Sequence, residues 1–314
     1  MTDAIAVIGE ALVDVVEGGE THPGGSPMNI AVGLARLGHR TTLHTRIGGD
    51  AHGALIRAHL DEAGVVLGPD TLIAGPTSTA TARVDADGKA SYRFDIDWDI
   101  PVPDATGVRL VHTGSIGALR EPGASAVRSA LGAAGSATLR SLDPNIRPDV
   151  IGAHDEVRRR IAELAGLCQV VKLSDEDAAW LAPDAALEET LAGLAAHGAR
   201  FVVATRGPDG CLALVDGVWF TRPARPVVVA DTIGAGDAFM SGLLHALLRD
   251  GTDRRLVTGE PLAEQAVLAA LDTALASAAL TVARPGADPP TSAELDASVL
   301  DSADPEKAVR ASRE

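Results

Sequence analysis

The stretch DTIGAGDAFMSGLL, residues 231–244, combines residue types that can do chemistry on a phosphate. Two carboxylates, Asp231 and Asp237, flank a glycine-rich turn, and apolar residues at helical spacing follow. The N–H groups of a turn at a helix start favour an anion. A carboxylate there repels the anion unless it has a role, such as taking a proton from a hydroxyl that attacks a phosphoryl group. On these residues alone, Asp231 or Asp237 could equally cap the helix.

The elements around this stretch alternate between short apolar segments and longer helical patterns, which is typical of parallel βαβ construction. Apolar runs predict strands at residues 4–9, 41–48, 108–114, 137–144, 168–174, 200–207 and 225–232. The segment PMNIAVGLARLG predicts a helix that stops at Gly38. We find no tandem repeat and no low-complexity linker, so the pattern favours one α/β domain.

Residues 77–94 break this alternation. Their period-two pattern in two arms around Asp87-Gly88 predicts a β-hairpin. The hairpin could extend the main sheet. Alternatively, together with residues 15–24, it could form a small β lid.

Composition limits the possible classes of protein. With 46% hydrophobic and 22% charged residues among 314, the chain is expected to be globular. A formal net charge of −16 opposes binding to nucleic acid or to an anionic membrane surface. We read no apolar run of about 18 residues and no signal-peptide pattern, so we expect a cytoplasmic protein without a membrane partner. The spacing of Cys168 and Cys211 predicts buried thiols rather than a disulfide framework.

Several other chemistries lack their motifs. The chain has no G-x-x-x-x-G-K-[ST] loop, no H-E-x-x-H pair and no G-x-G-x-x-G after its first strand. It also lacks a G-x-S-x-G elbow, because residues 113–117 read only TGSIG. These absences disfavour a Walker-type site, a zinc hydrolase, a dinucleotide-binding dehydrogenase and a seryl hydrolase.

Two motifs together resemble the ribokinase-like, or PfkB, family of sugar and nucleoside kinases. Residues 231–244 are similar to its C-terminal signature, and GGSPMNIAVGLARLG, residues 24–38, is similar to its N-terminal signature. Further similar segments are VIGEALVD, RIGGDAHG, LDPNIRP, TRGPDG and ARPGADPP. The resemblance implies one three-layer α/β/α domain over residues 1–314, with a mainly parallel sheet and a small β-sheet lid from about residues 15–24 and 77–100. The polar tail, residues 302–314, lies outside the segments that carry the resemblance.

The resemblance implies roles at the transfer site and the acceptor site. Asp237 would be the catalytic base, and the amides of Gly234, Ala235 and Gly236 would form the anion hole. The residues implied in sugar binding are Asp14, Gly24, Gly25, Asn29, Phe94, Asp143, Asn145 and Arg147.

For the nucleotide, the resemblance implies ATP with Mg²⁺. The residues implied near it are Lys172, Ser174, Asp177, Thr205, Gly207 and Gly210. Ser174 and Asp177 align with an N-x-x-E motif of many relatives. A possible K⁺ site would involve Asp231, Ile233 and the segment ARPGADPPT, in which Pro290 stands where some relatives have a serine.

Similarities to particular relatives imply which sugar is the phosphoryl acceptor and how the chain assembles. Ser26-Pro27 and the segment SYRFDIDWDIP resemble bacterial fructokinases, which implies fructose as the acceptor. Arg147 would also suit the carboxylate of 2-keto-3-deoxygluconate, which is the alternative acceptor. A sugar-binding regulator without turnover is the alternative from another class. Relatives also suggest a homodimer that pairs through the lid.

Overall fold

The computed structural model describes residues 3–16, 21–84 and 90–302. The strands are β1 (Ala4–Ile8), β2 (Leu12–Val16), β3 (Thr21–Gly24), β4 (Arg40–His44), β5 (Ile47–Gly48), β6 (Val66–Leu67), β7 (Leu72–Ile73), β8 (Thr79–Val84), β9 (Ala90–Asp95), β10 (Leu110–Gly114), β11 (Leu139–Asp143), β12 (Val170–Ser174), β13 (Phe201–Thr205), β14 (Cys211–Val215) and β15 (Val218–Arg222). The helices are α1 (Ser26–Arg36), α2 (Ala51–Ala63), α3 (Ser115–Leu119), α4 (Gly123–Ala133), α5 (Pro148–Ile151), α6 (His154–Leu167), α7 (Asp175–Leu181), α8 (Leu187–Ala196), α9 (Ala235–Arg249), α10 (Thr252–Thr258), α11 (Glu264–Val282) and α12 (Ser292–Ser302).

A nine-stranded sheet forms the centre of the molecule, in the order β15-β14-β13-β12-β11-β10-β1-β4-β6. Its strands pair in parallel, except that β14 is antiparallel to both of its neighbours. One apolar core joins a face of this sheet to α1, α2, α9, α10 and α11. A second core joins the other face to α3, α4, α6, α7 and α8. The predicted three-layer α/β/α fold is therefore confirmed.

The central strands are buried on both faces, as continuous apolar runs predict for a parallel sheet. Along β10, Leu110 faces the first core and Val111 faces the second. Successive side chains alternate between the two helical layers, and every residue of β10 is buried. The carboxyl ends of these strands consequently meet at one edge of the sheet.

A separate four-stranded sheet has the order β3-β2-β8-β9. Strands β8 and β9 are antiparallel, with Thr79 opposite Asp95 and Val84 opposite Ala90, so the predicted hairpin is confirmed. The predicted turn at Asp87-Gly88 and part of the segment 15–24 lie outside the described residues. The function of this small sheet as a lid stays a prediction.

One predicted strand is wrong. Residues 225–232 have no strand assignment, and Val228 is 90% exposed. Pro226 removes one backbone donor there, and the edge of the sheet is instead completed by the antiparallel strands β14 and β15. The turn between these two strands contains Asp216-Gly217, both with positive φ, and an Asp-Gly pair between apolar runs is a hairpin signal that the sequence reading missed.

Helix α11 is, among the described residues, the one helix long and apolar enough to cross a bilayer, with a mean hydropathy of 1.5 over its most apolar window. Half of that window is buried within the protein, and Leu271, Ala274 and Leu275 belong to the first core. Core helices have this same composition, so the finding is weak evidence for a membrane segment.

The two cysteines are free and buried, as predicted. Burial raises the pKa of the Cys168 thiol to about 12 and that of the Cys211 thiol to about 11. A thiol that stays protonated is a poor nucleophile, so packing explains both residues.

Candidate active site

A cleft of about 810 Å³ opens at the carboxyl ends of the central strands. It lies where the chain leaves β1 between β4 and β10, the switch point at which open α/β sheets bind ligands. The small sheet contributes Leu12, Asp14, Ala80 and Phe94 to its wall. The small sheet thus lies over one end of the cleft.

The catalytic candidate Asp237 lies in the first turn of α9 and lines this cleft. Its Oδ1 accepts a hydrogen bond from the Ser26 hydroxyl at 2.6 Å, and its Oδ2 accepts one from the Asn29 side-chain amide at 2.8 Å. Burial raises the pKa of Asp237 above its ordinary value, and the two hydrogen bonds oppose that shift. The carboxylate is held in one orientation but stays open to the cleft.

Close packing of α1 against α9 brings these groups together. A β-carbon at Gly33 of α1 would lie 2.4 Å from Oγ of Ser241 on α9, so only glycine allows the two helices to approach this closely. The N-termini of both helices reach the cleft. Their unpaired N–H groups and positive dipole ends favour a negatively charged guest there.

The glycine turn before α9 has a left-handed residue at the start of the helix. Gly234 is the N-cap of the helix with φ 75°, and a β-carbon there would lie 2.6 Å from that of Ala287. Gly234, Ala235 and Gly236 all line the cleft, as the sequence predicts. Asp237 directly follows them in the chain and lines the same cleft.

A buried ion pair lies beneath this turn. Nζ of Lys172 is 2.8 Å from Oδ2 of Asp143, and both side chains are at most 5% exposed. Nζ is also 2.9 Å from the position that a β-carbon on Gly236 would take. Burial alone would lower the pKa of Lys172, but attraction to Asp143 raises it, so the ammonium stays charged. Asp143 does not line the cleft, and it reaches the site through Lys172.

The acceptor end of the cleft is lined by most of the predicted sugar-binding residues, namely Asp14, Gly25, Asn29, Phe94, Asn145 and Arg147. Gly24 is not in the lining. It lies behind Asp14, because a β-carbon on Gly24 would be 2.1 Å from the Asp14 carboxylate.

Glu10 is a lining residue that the sequence reading did not single out. It directly follows the β1 region, is 3% exposed, and accepts a hydrogen bond from the Gly117 N–H at 2.7 Å. Burial raises the pKa of Glu10 from 4.5 to about 7, while hydrogen bonds from Ser115 and Gly117 and the charge of Arg147 lower it. The signal in the sequence that could have identified Glu10 is a carboxyl group that follows an apolar strand.

The segment aligned with N-x-x-E is held in place by hydrogen bonds of Ser174 and Asp177. Asp177 accepts hydrogen bonds from the N–H groups of Ser174 and Ile146, and the Ser174 hydroxyl caps α7. Asp177 therefore ties α7 to the loop after β11. Asp175 and Glu176 also line the cleft, and the sequence reading did not assign them.

A second, mainly apolar cavity of about 630 Å³ adjoins the cleft. The two share the neck formed by Thr205, Gly207, Pro208, Thr232, Ala235 and Gly236. Beyond this neck lie Gly210, Phe239 and Leu275. A mainly apolar lining of this kind suits a flat apolar group.

The residues predicted to bind a monovalent cation, Asp231 and Ile233, lie in a loop that hydrogen bonds hold together. Asp231 accepts hydrogen bonds from the N–H groups of Ile233 at 3.0 Å and Gly286 at 2.8 Å, which lower its pKa. The turn before α9 is thereby tied to the segment ARPGADPPT. Among the described residues, no group of three or more His, Cys, Asp or Glu side chains could hold a metal ion.

Comparisons with known proteins agree with this geometry. Residues 1–294 match the model of the pfkB family carbohydrate kinases. The chain is 35% identical over 280 residues to a fructokinase of Klebsiella pneumoniae, which covers 83% of this chain and 90% of that protein. A double mutant of fructokinase from Vibrio cholerae O395, solved with fructose, ADP and potassium ion bound, has a TM-score of 0.78 at 28% identity, covering 95% of this chain and 98% of that one. An ATP-bound fructokinase from Xylella fastidiosa shares the fold with a TM-score of 0.84 at 24% identity, covering 97% and 100%. The chain therefore belongs to the pfkB family of carbohydrate kinases.

Proposed function

We propose that this protein transfers the γ-phosphoryl group of ATP to a primary hydroxyl of fructose. The observation that carries the proposal is the position of Asp237, which faces the cleft between the amides of residues 234–236 and the acceptor-end side chains. A general base must lie within reach of the hydroxyl that it deprotonates, and an anion hole must lie where the phosphoryl group receives charge.

In the proposed reaction, Asp237 takes the proton of the acceptor hydroxyl as it attacks the γ-phosphorus. The amides of Gly234, Ala235 and Gly236 then stabilise the charge on the transferred group. Lys172, whose ammonium lies beneath Gly236, adds a buried positive charge close to the same point. Asn29 and Ser26 hold the Asp237 carboxylate in orientation.

The charges at the acceptor end favour a neutral sugar over a sugar acid. Glu10, Asp14 and Asp237 line this end, and Arg147 is the cation among its described residues. The carboxylate of 2-keto-3-deoxygluconate would be placed among these three acidic side chains. Fructose carries only hydroxyl groups, which donate readily to carboxylates. The identity to a fructokinase supports the same choice.

We assign the apolar cavity beyond the neck to the adenine base, and Thr205, Gly207 and Gly210 to the nucleotide side. Mg²⁺ would enter as the MgATP substrate, because Mg²⁺ is usually bound by phosphate oxygens and one or two carboxylates. Asp175 and Glu176 are exposed carboxylates that line the cleft, and we assign them to this role. Potassium, bound in a solved relative, is proposed at the loop around Asp231 and Ile233.

We also propose a cytoplasmic homodimer. Strands β3 and β9 are the edges of the small sheet in the described part of the chain, and unpaired edges are surfaces for strand pairing. Sedimentation equilibrium of the purified chain gives the mass that tests this assembly.

A coupled ADP-release assay tests the proposed reaction. MgATP is supplied with fructose, ribose, glucose, 2-keto-3-deoxygluconate, adenosine or fructose 6-phosphate, each with and without K⁺. We expect selective turnover of fructose. Turnover of the keto acid instead would assign Arg147 to its carboxylate, and sugar binding without ADP release from any acceptor would indicate a regulator.

A further inference from the structure

We infer that Glu10 is an acceptor-binding residue, whose carboxylate accepts a hydrogen bond from a sugar hydroxyl other than the one that is phosphorylated. This inference rests on the proposed function and extends its acceptor site. It assigns a role to Glu10, a side chain within the similar segment VIGEALVD to which the resemblance gave no role.

The position of Glu10 supports this role. The residue follows β1, the strand at the switch point of the sheet, and it lines the same end of the cleft as Asp14, Asn29 and Arg147. Asp14 lies on β2 and Asn29 on α1, so three different elements present oxygen or nitrogen atoms to one space. A sugar has several hydroxyl groups, and each must regain a partner when it leaves water.

The bonding of Glu10 leaves capacity for a ligand. Its Oε2 accepts the Gly117 N–H, which fixes the carboxyl group against the start of α3. Among the described residues no lysine or arginine lies within ion-pair distance of it. A carboxylate accepts up to about four hydrogen bonds, so the donors Gly117 and Ser115 leave it capacity for a ligand hydroxyl.

The burial of this carboxyl group is costly for the fold. An acidic side chain that is 3% exposed and lacks an ion-pair partner loses hydration, and the hydrogen bonds from Ser115 and Gly117 compensate for it only in part, because the pKa stays raised. Strongly perturbed carboxyl groups in a cleft are characteristic of functional sites. Hydroxyl donors of a bound sugar would supply the missing partners.

The substitution Glu10→Gln tests the inference without removing the contact to Gly117, since the amide oxygen still accepts that N–H. The amide nitrogen cannot accept the sugar hydroxyl. We expect fructose affinity, measured by calorimetry without nucleotide, to fall about 10- to 100-fold. The matched control is Glu163→Gln, an exposed acid on α6, which should bind fructose like the wild type.

Fructose analogues that each lack one hydroxyl separate sugar contact from helix packing. In the wild type, the analogue without the partner of Glu10 should bind more weakly than fructose. In Glu10→Gln, the same analogue should bind as well as fructose, because the partner is already lost. Equal weakening of this analogue in both proteins would overturn the inference. Glu10 would then serve only to hold the start of α3.

The pH dependence of binding provides a second readout. A hydroxyl that donates to a carboxylate favours its ionised form, so fructose should bind about 10-fold more tightly at pH 8 than at pH 6 if only ionised Glu10, with its pKa of about 7, accepts it. The other ionisable groups lining this end are Asp14, Asp237 and Arg147. Glu10→Gln should remove the dependence, and its persistence would assign it to one of these groups and overturn the inference. Failure of the wild type to bind fructose at any pH would overturn both the proposed acceptor and this inference.

Discussion

At the residue scale, the central prediction concerns Asp237. We expect Asp237→Asn to lower kcat about 10²- to 10⁴-fold, because an amide cannot take the proton of the acceptor hydroxyl. Fructose affinity should stay within a few-fold of wild type, since the Asn oxygen can still accept from Ser26 or Asn29. Steady-state kinetics and calorimetry measure the two effects separately.

The control for this substitution is Asp61→Asn, which changes an exposed acid on α2. It should leave both kcat and fructose affinity unchanged. If Asp237→Asn turned over fructose at a near-normal rate, another group would have to be the base. Equal losses of affinity and turnover would instead indicate that Asp237 chiefly binds the sugar.

The sequence predicts residue positions well where a motif is local. Asp237 and the glycine turn lie within one short segment, and Asn29 lies in a second, so their types and spacing are visible in one chain. Glu10 was missed because its burial and its contact with Gly117 depend on β1 and β10 being neighbours in the sheet. Asp143 was placed too near the sugar, because its pairing with Lys172 is a contact between the neighbouring strands β11 and β12.

At the element scale, the entry into α9 offers a matched pair of glycines. Gly234 caps α9 with φ 75°, and Gly251 caps α10 with φ 74°. A β-carbon on Gly234 would collide with Ala287, whereas one on Gly251 meets nothing within 4 Å. Both substitutions to Ala should cost about 1–2 kcal/mol of unfolding free energy from backbone strain.

Only Gly234→Ala should also damage catalysis. The collision displaces the turn and its amides, and a displacement of about 1 Å can cost about 100-fold in rate. Thermal unfolding and kcat measured on both variants separate strain from misplacement. Similar kcat values for Gly234→Ala and Gly251→Ala would mean that the position of the turn is not critical for transfer.

The strands predicted best are those that the sequence shows as continuous apolar runs. Strands β1, β10, β11, β12 and β13 all lie within predicted segments, because buried parallel strands are short continuous apolar runs. The valine-rich segment 225–232 has the same composition, yet its residues line the apolar cavity beside α9 and α11. An apolar run indicates that a segment packs against an apolar surface. Whether the segment joins the sheet depends on which strands are its neighbours.

At the scale of the whole molecule, the net charge of −16 should influence how the two substrates arrive. MgATP is an anion and fructose is neutral, so long-range repulsion acts on the nucleotide alone. Three cations line the cleft, Arg147, Lys172 and Arg206, but Lys172 is already paired with Asp143. We therefore expect the acidic surface to dominate the field that MgATP meets at a distance.

The prediction is that kcat/KM for MgATP rises a few-fold as ionic strength increases from about 0.01 to 0.15 M, because the Debye length falls from about 30 to about 8 Å and screens the repulsion. Tetramethylammonium chloride is the suitable salt, since it adds no potassium. The matched internal control is kcat/KM for fructose at saturating MgATP, which should not change because a neutral sugar feels no net field. A fall in kcat/KM for MgATP with salt would contradict the prediction and mean that attraction by the cleft cations, Arg206 above all, outweighs the net charge of the chain.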